Sequence, residues 1–111
     1  MPHGDEAEVT IEEAIDVGLE THEKGDLAAA ESIYSQILEV DPQNSKVYHL
    51  LGVLQIQTGK VLDSLSSFDH AIDYEPGMAE AYCNKGLALQ KLGRSAEAVE
   101  NFQGAINHNP E

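Results

Sequence analysis

The chain has no tryptophan, one cysteine and only 6 basic residues among 111. Each shortage narrows the fold or the function. With 4 tyrosines and 2 phenylalanines as its aromatics, any core must rest on Leu, Ile, Val and Ala with small-residue packing. Helix-on-helix layers tolerate that composition. A lone Cys83 cannot close an internal disulfide, which suits a reducing compartment and predicts a cytoplasmic protein. No apolar run approaches the roughly 18 residues of a membrane span. Met1 to Glu8 is polar and acidic, without the basic start and apolar stretch of a signal peptide. The base shortage stands against 20 acidic residues, a net charge of -14. Residues 1–44 carry 12 of these acids and a single base, Lys24. Such a surface repels phosphates and anionic lipid, so nucleic-acid and membrane partners are not expected; a basic partner is favoured instead.

What the chain does contain is a period. Pro42, Pro76 and Pro110 are 34 residues apart, as are Gly18, Gly52 and Gly86, and Gly25, Gly59 and Gly93. Three independent series with one period define an internal repeat. Counted back from each proline, the units are 11–44, 45–78 and 79–111. Each holds two helical patterns, the first ending at a glycine suited to a left-handed helix end, the second at a proline that cannot continue a helix. Thr10 and Glu13 form the pattern of a capping box, Asp26 is placed to cap the second helix, and Asn44 or Ser45 the third. Residues 1–9 show no periodicity and read as a flexible acidic tail; 10–111 reads as one domain.

The residues at fixed offsets resemble the tetratricopeptide pattern of an aromatic, Leu-Gly, Tyr, Ala, an aromatic and a closing Pro. Unit 45–78 supplies Tyr48, Leu51, Gly52, Phe68, Ala71 and Pro76; unit 79–111 supplies Tyr82, Gly86, Ala98, Phe102, Ala105 and Pro110. Unit 11–44 supplies Val17, Gly18, Gly25, Ala30, Tyr34 and Pro42. Departures are Ala14 for the first aromatic, Thr21 and Gln55 for the tyrosine, Ile37 and Ser64 for small alanines, and Lys85 for the leucine. The resemblance implies an all-α fold, a right-handed superhelical stack of three helix-turn-helix repeats. It also implies a non-catalytic module that binds a protein or peptide in a concave groove.

By the same resemblance, the groove is lined from the first helix of each repeat. Carried onto this chain, the groove residues are Glu12, Ile15, Leu19, His22 and Glu23; Lys46, His49, Val53, Ile56 and Gln57; Glu80, Cys83, Leu87, Gln90 and Lys91. Of these, Ile15, Leu19, His22, His49, Val53, Ile56, Cys83, Leu87 and Gln90 are the expected peptide contacts. An apolar centre with polar neighbours suits an amphipathic helix or an extended peptide with hydrophobic anchors. Members that clamp acidic chaperone tails carry Lys, Asn and Arg where this chain has Ile15, Leu19, Leu50, Glu80 and Asn84, so tail binding is not expected. A looser similarity runs through Gly18, Leu19, His22, Gly25, Leu27, Ala30, Glu31, Tyr34, Ile37, Leu38 and the stretch His49 to Val53. It is to the leading repeats of bacterial proteins that join such arrays to transferase domains, and implies a substrate-recruiting segment of a larger enzyme.

Chemistry has little to build on. His49 and Cys83 share the fifth position of consecutive groove helices, but no orienting third group or oxyanion donor is suggested, and no enzyme is expected. His22, His49 and Cys83 come from three separate helices without a close-spaced ligand pair, so no metal or other cofactor is expected. Gly25-Asp26, Gly59-Lys60 and Gly93-Arg94 lack the spacing of a phosphate loop and read as turns.

The ends differ. Glu13, Asp16, Glu20 and Glu23 form an acidic stripe expected to face water, where the second unit has Val47, Leu50 and Leu54. The last helix carries Val99, Phe102 and Ile106 on one face, expected to support weak self-association or to be covered by a following helix.

Overall fold

The computed structural model describes residues 9–110. The expected tail, 1–9, lies outside the described residues except for Val9, which is exposed and precedes the first helix. Six helices follow among the described residues: α1 (Ile11–Glu23), α2 (Leu27–Val40), α3 (Ser45–Gln57), α4 (Val61–Tyr74), α5 (Ala79–Lys91) and α6 (Ser95–His108). Each repeat is a helix-turn-helix pair, α1 with α2, α3 with α4 and α5 with α6. The chain divides into two compact units between Pro42 and Gln43. The first holds the α1–α2 pair. The second holds the other two pairs, joined by packing of α4 on α5.

Helix starts follow local chemistry. At α1 the Thr10 hydroxyl accepts from the Glu13 backbone N–H at 3.0 Å, and the Glu13 carboxylate accepts from the Thr10 N–H at 2.8 Å, the reciprocal pair of a capping box. Asp26 accepts from the Ala29 N–H, and Asn44, rather than Ser45, accepts from the Val47 N–H at 3.0 Å. Helices α4, α5 and α6 begin without a side-chain cap.

The three inter-helix turns share one construction. Gly25, Gly59 and Gly93 have φ of 88°, 83° and 76°, a region that side-chain-bearing residues seldom enter. After each glycine the next N–H reaches back to a carbonyl in the preceding helix: Asp26 to Thr21, Lys60 to Gln55 and Arg94 to Leu89. That is the Schellman closure, which satisfies carbonyls the helix end leaves open. Pro42, Pro76 and Pro110 each stand two residues past a helix end.

Packing within each pair rests on a glycine facing an aromatic ring. A Cβ built at Gly18 would lie 2.7 Å from Tyr34, one at Gly52 2.6 Å from Phe68, and one at Gly86 2.5 Å from Phe102. The first helix of each pair therefore brings its backbone directly against a ring on the second. Tyr34 and Phe68 are fully buried, as are Ala30, Val47, Leu54, Ala71, Ala81 and Ala88.

Four departures from the repeat pattern are held by side-chain hydrogen bonds or an ion pair. Gln55, in place of a tyrosine, accepts through Oε1 from the buried Ser67 hydroxyl at 2.6 Å. Thr21, at the equivalent place, donates to the Val17 carbonyl. Lys85, in place of a leucine, pairs with Asp69 of α4 at 2.6 Å. Buried Ser64 donates to the Val61 carbonyl.

Candidate functional site

On α5 the helical period separates two faces. Ala81, Ala88 and Leu89 are buried, whereas Glu80, Cys83, Leu87 and Gln90 are exposed, Leu87 to 43%. The adjoining helix α3 presents His49, Leu50, Val53 and Ile56, all half-buried, while its Val47 and Leu54 are fully buried. In the second unit the sequence-predicted groove residues thus lie on the less buried faces of two neighbouring first helices.

Polar contacts on this surface are specific. His49 Nε2 and Asn84 Nδ2 are 2.7 Å apart, linking α3 to α5. The His49 ring also lies 5.9 Å from that of Phe68. Burial holds the imidazole below its ordinary pKa, and the Glu80 carboxylate opposes that shift less strongly. His49 is therefore engaged by a carboxamide, and Cys83 stands exposed as a free thiol. Among the described residues no group of three His, Cys, Asp or Glu is arranged to hold a metal ion.

Three shallow cavities open around the start of α5. One of about 310 Å³ is lined by Lys46, His49, Leu50, Glu75, Met78 and Glu80. A second, of about 210 Å³, lies between α5 and α6 and includes Glu80, Cys83, Ala105 and Ile106. The third, of about 420 Å³, includes Glu75, Met78, Glu80 and His108. Glu80 lines all three.

In the first unit, Ile15 is buried, whereas Leu19 and His22 are half-buried. His22 Nδ1 shares a 3.0 Å hydrogen bond with the Tyr34 hydroxyl, so its ring also supports the packing of α1 on α2. Glu13, Asp16, Glu20 and Glu23 are exposed. On α6, Val99 and Ile106 are exposed, to 64% and 55%. Phe102 behaves differently from these two. It is half-buried, with its ring against Gly86, and so belongs to the packing of α5 on α6.

Sequence reasoning placed Glu80 in the groove but missed the His49–Asn84 pair. Finding the pair requires knowing which side chains neighbouring helices bring together, and the 34-residue offset marks equivalence between repeats, not contact.

The glycine–ring packing, the Schellman turns and the paired helices define a helical repeat protein. The tetratricopeptide repeat pattern matches residues 18–44 and again residues 79–111, and the chain belongs to that family. Mouse Tetratricopeptide repeat protein 28 is 33% identical over 86 residues, covering 78% of this chain and 4% of that protein. The chain thus spans a small part of that relative's length. Among solved structures, MamA superposes with a TM-score of 0.86 at 22% identity, over 91% of this chain and 59% of MamA. The second TPR of Spaghetti (RPAP3), bound to the HSP90 peptide SRMEEVD, superposes with a TM-score of 0.85 at 18% identity, over 89% of this chain and 92% of that one. At these identities the likeness to the solved structures is one of fold.

Among the described residues no helix is long and apolar enough to cross a membrane.

Proposed function

We propose that this protein-interaction module is non-catalytic and cytoplasmic, and that it captures a peptide or helix of its partner on the groove faces of its first repeat helices. The observation that carries the reading is the exposure of Leu87 on α5 together with half-buried Val53 and Ile56 on the adjoining α3, a set of aliphatic side chains available for contact. His49, Cys83 and Gln90 give that apolar strip a polar border, the arrangement of a binding surface with hydrophobic anchors. Occupation of His49 by Asn84 supports a binding role over activation of the Cys83 thiol. The peptide-bound RPAP3 repeat, which shares the fold, lends support of a general kind.

The test is selection of a displayed random peptide library on the wild-type chain, followed by measurement of the selected peptides on Leu87→Glu. A carboxylate on this strip should abolish binding. Because Leu87 is exposed, its thermal midpoint should stay within about 4 °C. Retained binding would refute the groove. Val53→Glu should also lose binding, with a larger stability cost because Val53 is half-buried.

A second reading, weak self-association through α6, is favoured by the exposure of Val99 and Ile106. Sedimentation velocity at high concentration tests it: wild type should associate and Ile106→Lys should not.

A further inference from the structure

We infer that the cavity between the starts of α3 and α5 is the subsite for a basic side chain of the bound peptide, with Glu80 and Glu75 as its anionic wall and Leu50 and Met78 as its apolar floor. This rests on the groove reading and specifies the chemistry of the peptide at one end of the groove.

The cavity, about 310 Å³, is amphipathic in the manner a lysine or arginine needs. Those side chains carry an aliphatic stem and a charged head, and they bury the stem on apolar surface while the head stays polar. Leu50 and Met78 offer that surface, and Glu75 and Glu80 line the same cavity. An anionic or purely aliphatic side chain would satisfy only part of such a lining.

Glu80 is available for this role. Among the described residues its carboxylate makes no hydrogen bond or ion pair, and its electrostatic influence falls on His49. Glu75 is held in place instead, accepting from the Ser45 hydroxyl at 2.7 Å. One carboxylate is therefore fixed and the other free to turn toward a ligand.

The countercharges are weak. Lys46 is the one lysine or arginine on the cavity wall, and it is exposed. His49, facing Glu80 from α3, is held toward its neutral form by burial. The positive end of α5 would oppose a cation, but Glu80 lies in the first turn of that helix and offsets it locally. Across the whole chain the charge of -14 draws a basic ligand in from a distance.

Position ties the subsite to the groove. Lys46, His49 and Leu50 precede Val53 and Ile56 on α3, and Glu80 precedes Cys83 and Leu87 on α5. An extended peptide with its aliphatic anchor against Leu87 would carry a neighbouring residue past Glu80. The geometry favours a short motif, one basic residue a fixed few positions from an apolar one.

The experiment is the same displayed library of random peptides, selected on the wild-type chain and then measured on Glu80→Gln, Glu80→Lys and Leu87→Glu. Glu80 is exposed, so these variants keep the fold, which circular dichroism verifies. Selected peptides should be enriched in Lys or Arg at one spacing from an apolar residue. Their affinity should fall roughly tenfold or more on Glu80→Lys and less on Glu80→Gln, and replacing the basic residue by Ala should remove that difference. Peptides that bind Glu80→Lys as tightly as wild type, or that lack any basic preference, overturn the subsite; if they still fail on Leu87→Glu, the groove itself stands. Peptides indifferent to Leu87→Glu, or a library that yields none, overturn both.

Discussion

Gly52 on α3 lies directly beneath the ring of Phe68 on α4, close enough that a Cβ there would stand 2.6 Å from the ring. Phe68 is fully buried and cannot swing away into solvent. The backbone of one helix thus serves as the packing surface for an aromatic of the next. That contact explains a glycine in the middle of a helix, where it would otherwise cost up to about 1 kcal/mol relative to alanine.

Two opposing effects meet in Gly52→Ala, and the second should win. Alanine improves helix propensity by about 1 kcal/mol. Forcing a methyl into a filled core costs about 1–3 kcal/mol, and here the obstructing atoms are those of a ring with no free space. We expect net destabilisation of up to about 2 kcal/mol in urea unfolding. Gly77→Ala is the control: nothing lies within 4 Å of its built Cβ and its φ is not positive, so it should be neutral or stabilising by up to about 1 kcal/mol.

Asn44 closes the start of α3 by accepting from the Val47 N–H. Asn44→Ala leaves that donor to water and should cost about 1 kcal/mol, whereas Asn44→Asp, which retains the acceptor, should cost little. Equal losses for both would show that other contacts of Asn44 dominate.

The Ser67–Gln55 pair predicts a non-additive result. Ser67→Ala removes the hydroxyl that satisfies Gln55 Oε1 in a nearly buried setting. Leaving one buried partner unpaired costs about 1–3 kcal/mol, while replacing both by apolar groups is far milder. Ser67→Ala with Gln55→Leu should therefore be more stable than the sum of the single changes implies. Additivity within about 0.5 kcal/mol in a double-mutant cycle would show the two groups to be uncoupled.

The fold was legible because its signals are local and recur. Thr10–Glu13, Asp26 and the glycine turns act within a few residues of themselves, and the 34-residue offset repeats them. The degree to which each groove position is covered was not legible. Ile15, His49 and Cys83 hold equivalent positions, yet the first is buried, the second half-buried and the third exposed. Periodicity assigns a helix face but not the neighbours that cover it. Phe102 answers to two signals: it holds the repeat's aromatic position, which packs its ring on Gly86, and its spacing also joins it to exposed Val99 and Ile106. The polar links His49–Asn84 and Lys85–Asp69 depend on which helices adjoin, and no sequence offset encodes that.

His49 should titrate below its ordinary value of 6.5, because burial penalises the imidazolium. The sign for stability follows from proton binding. Between the depressed folded pKa and 6.5, the unfolded chain binds a proton at this site and the folded chain does not. Acid therefore favours unfolding, and the contribution of neutral His49, complete above 6.5, is lost as pH falls toward the folded pKa. Nε2 is also the atom facing the Asn84 carboxamide, so protonating it requires that amide to turn its oxygen toward the ring. The Glu80 carboxylate favours the charged form, and Glu80→Gln should push the midpoint lower still. NMR titration of the His49 ring protons measures both midpoints. A wild-type midpoint at or above 6.5, or an upward shift in Glu80→Gln, would contradict this account of the α3–α5 contact.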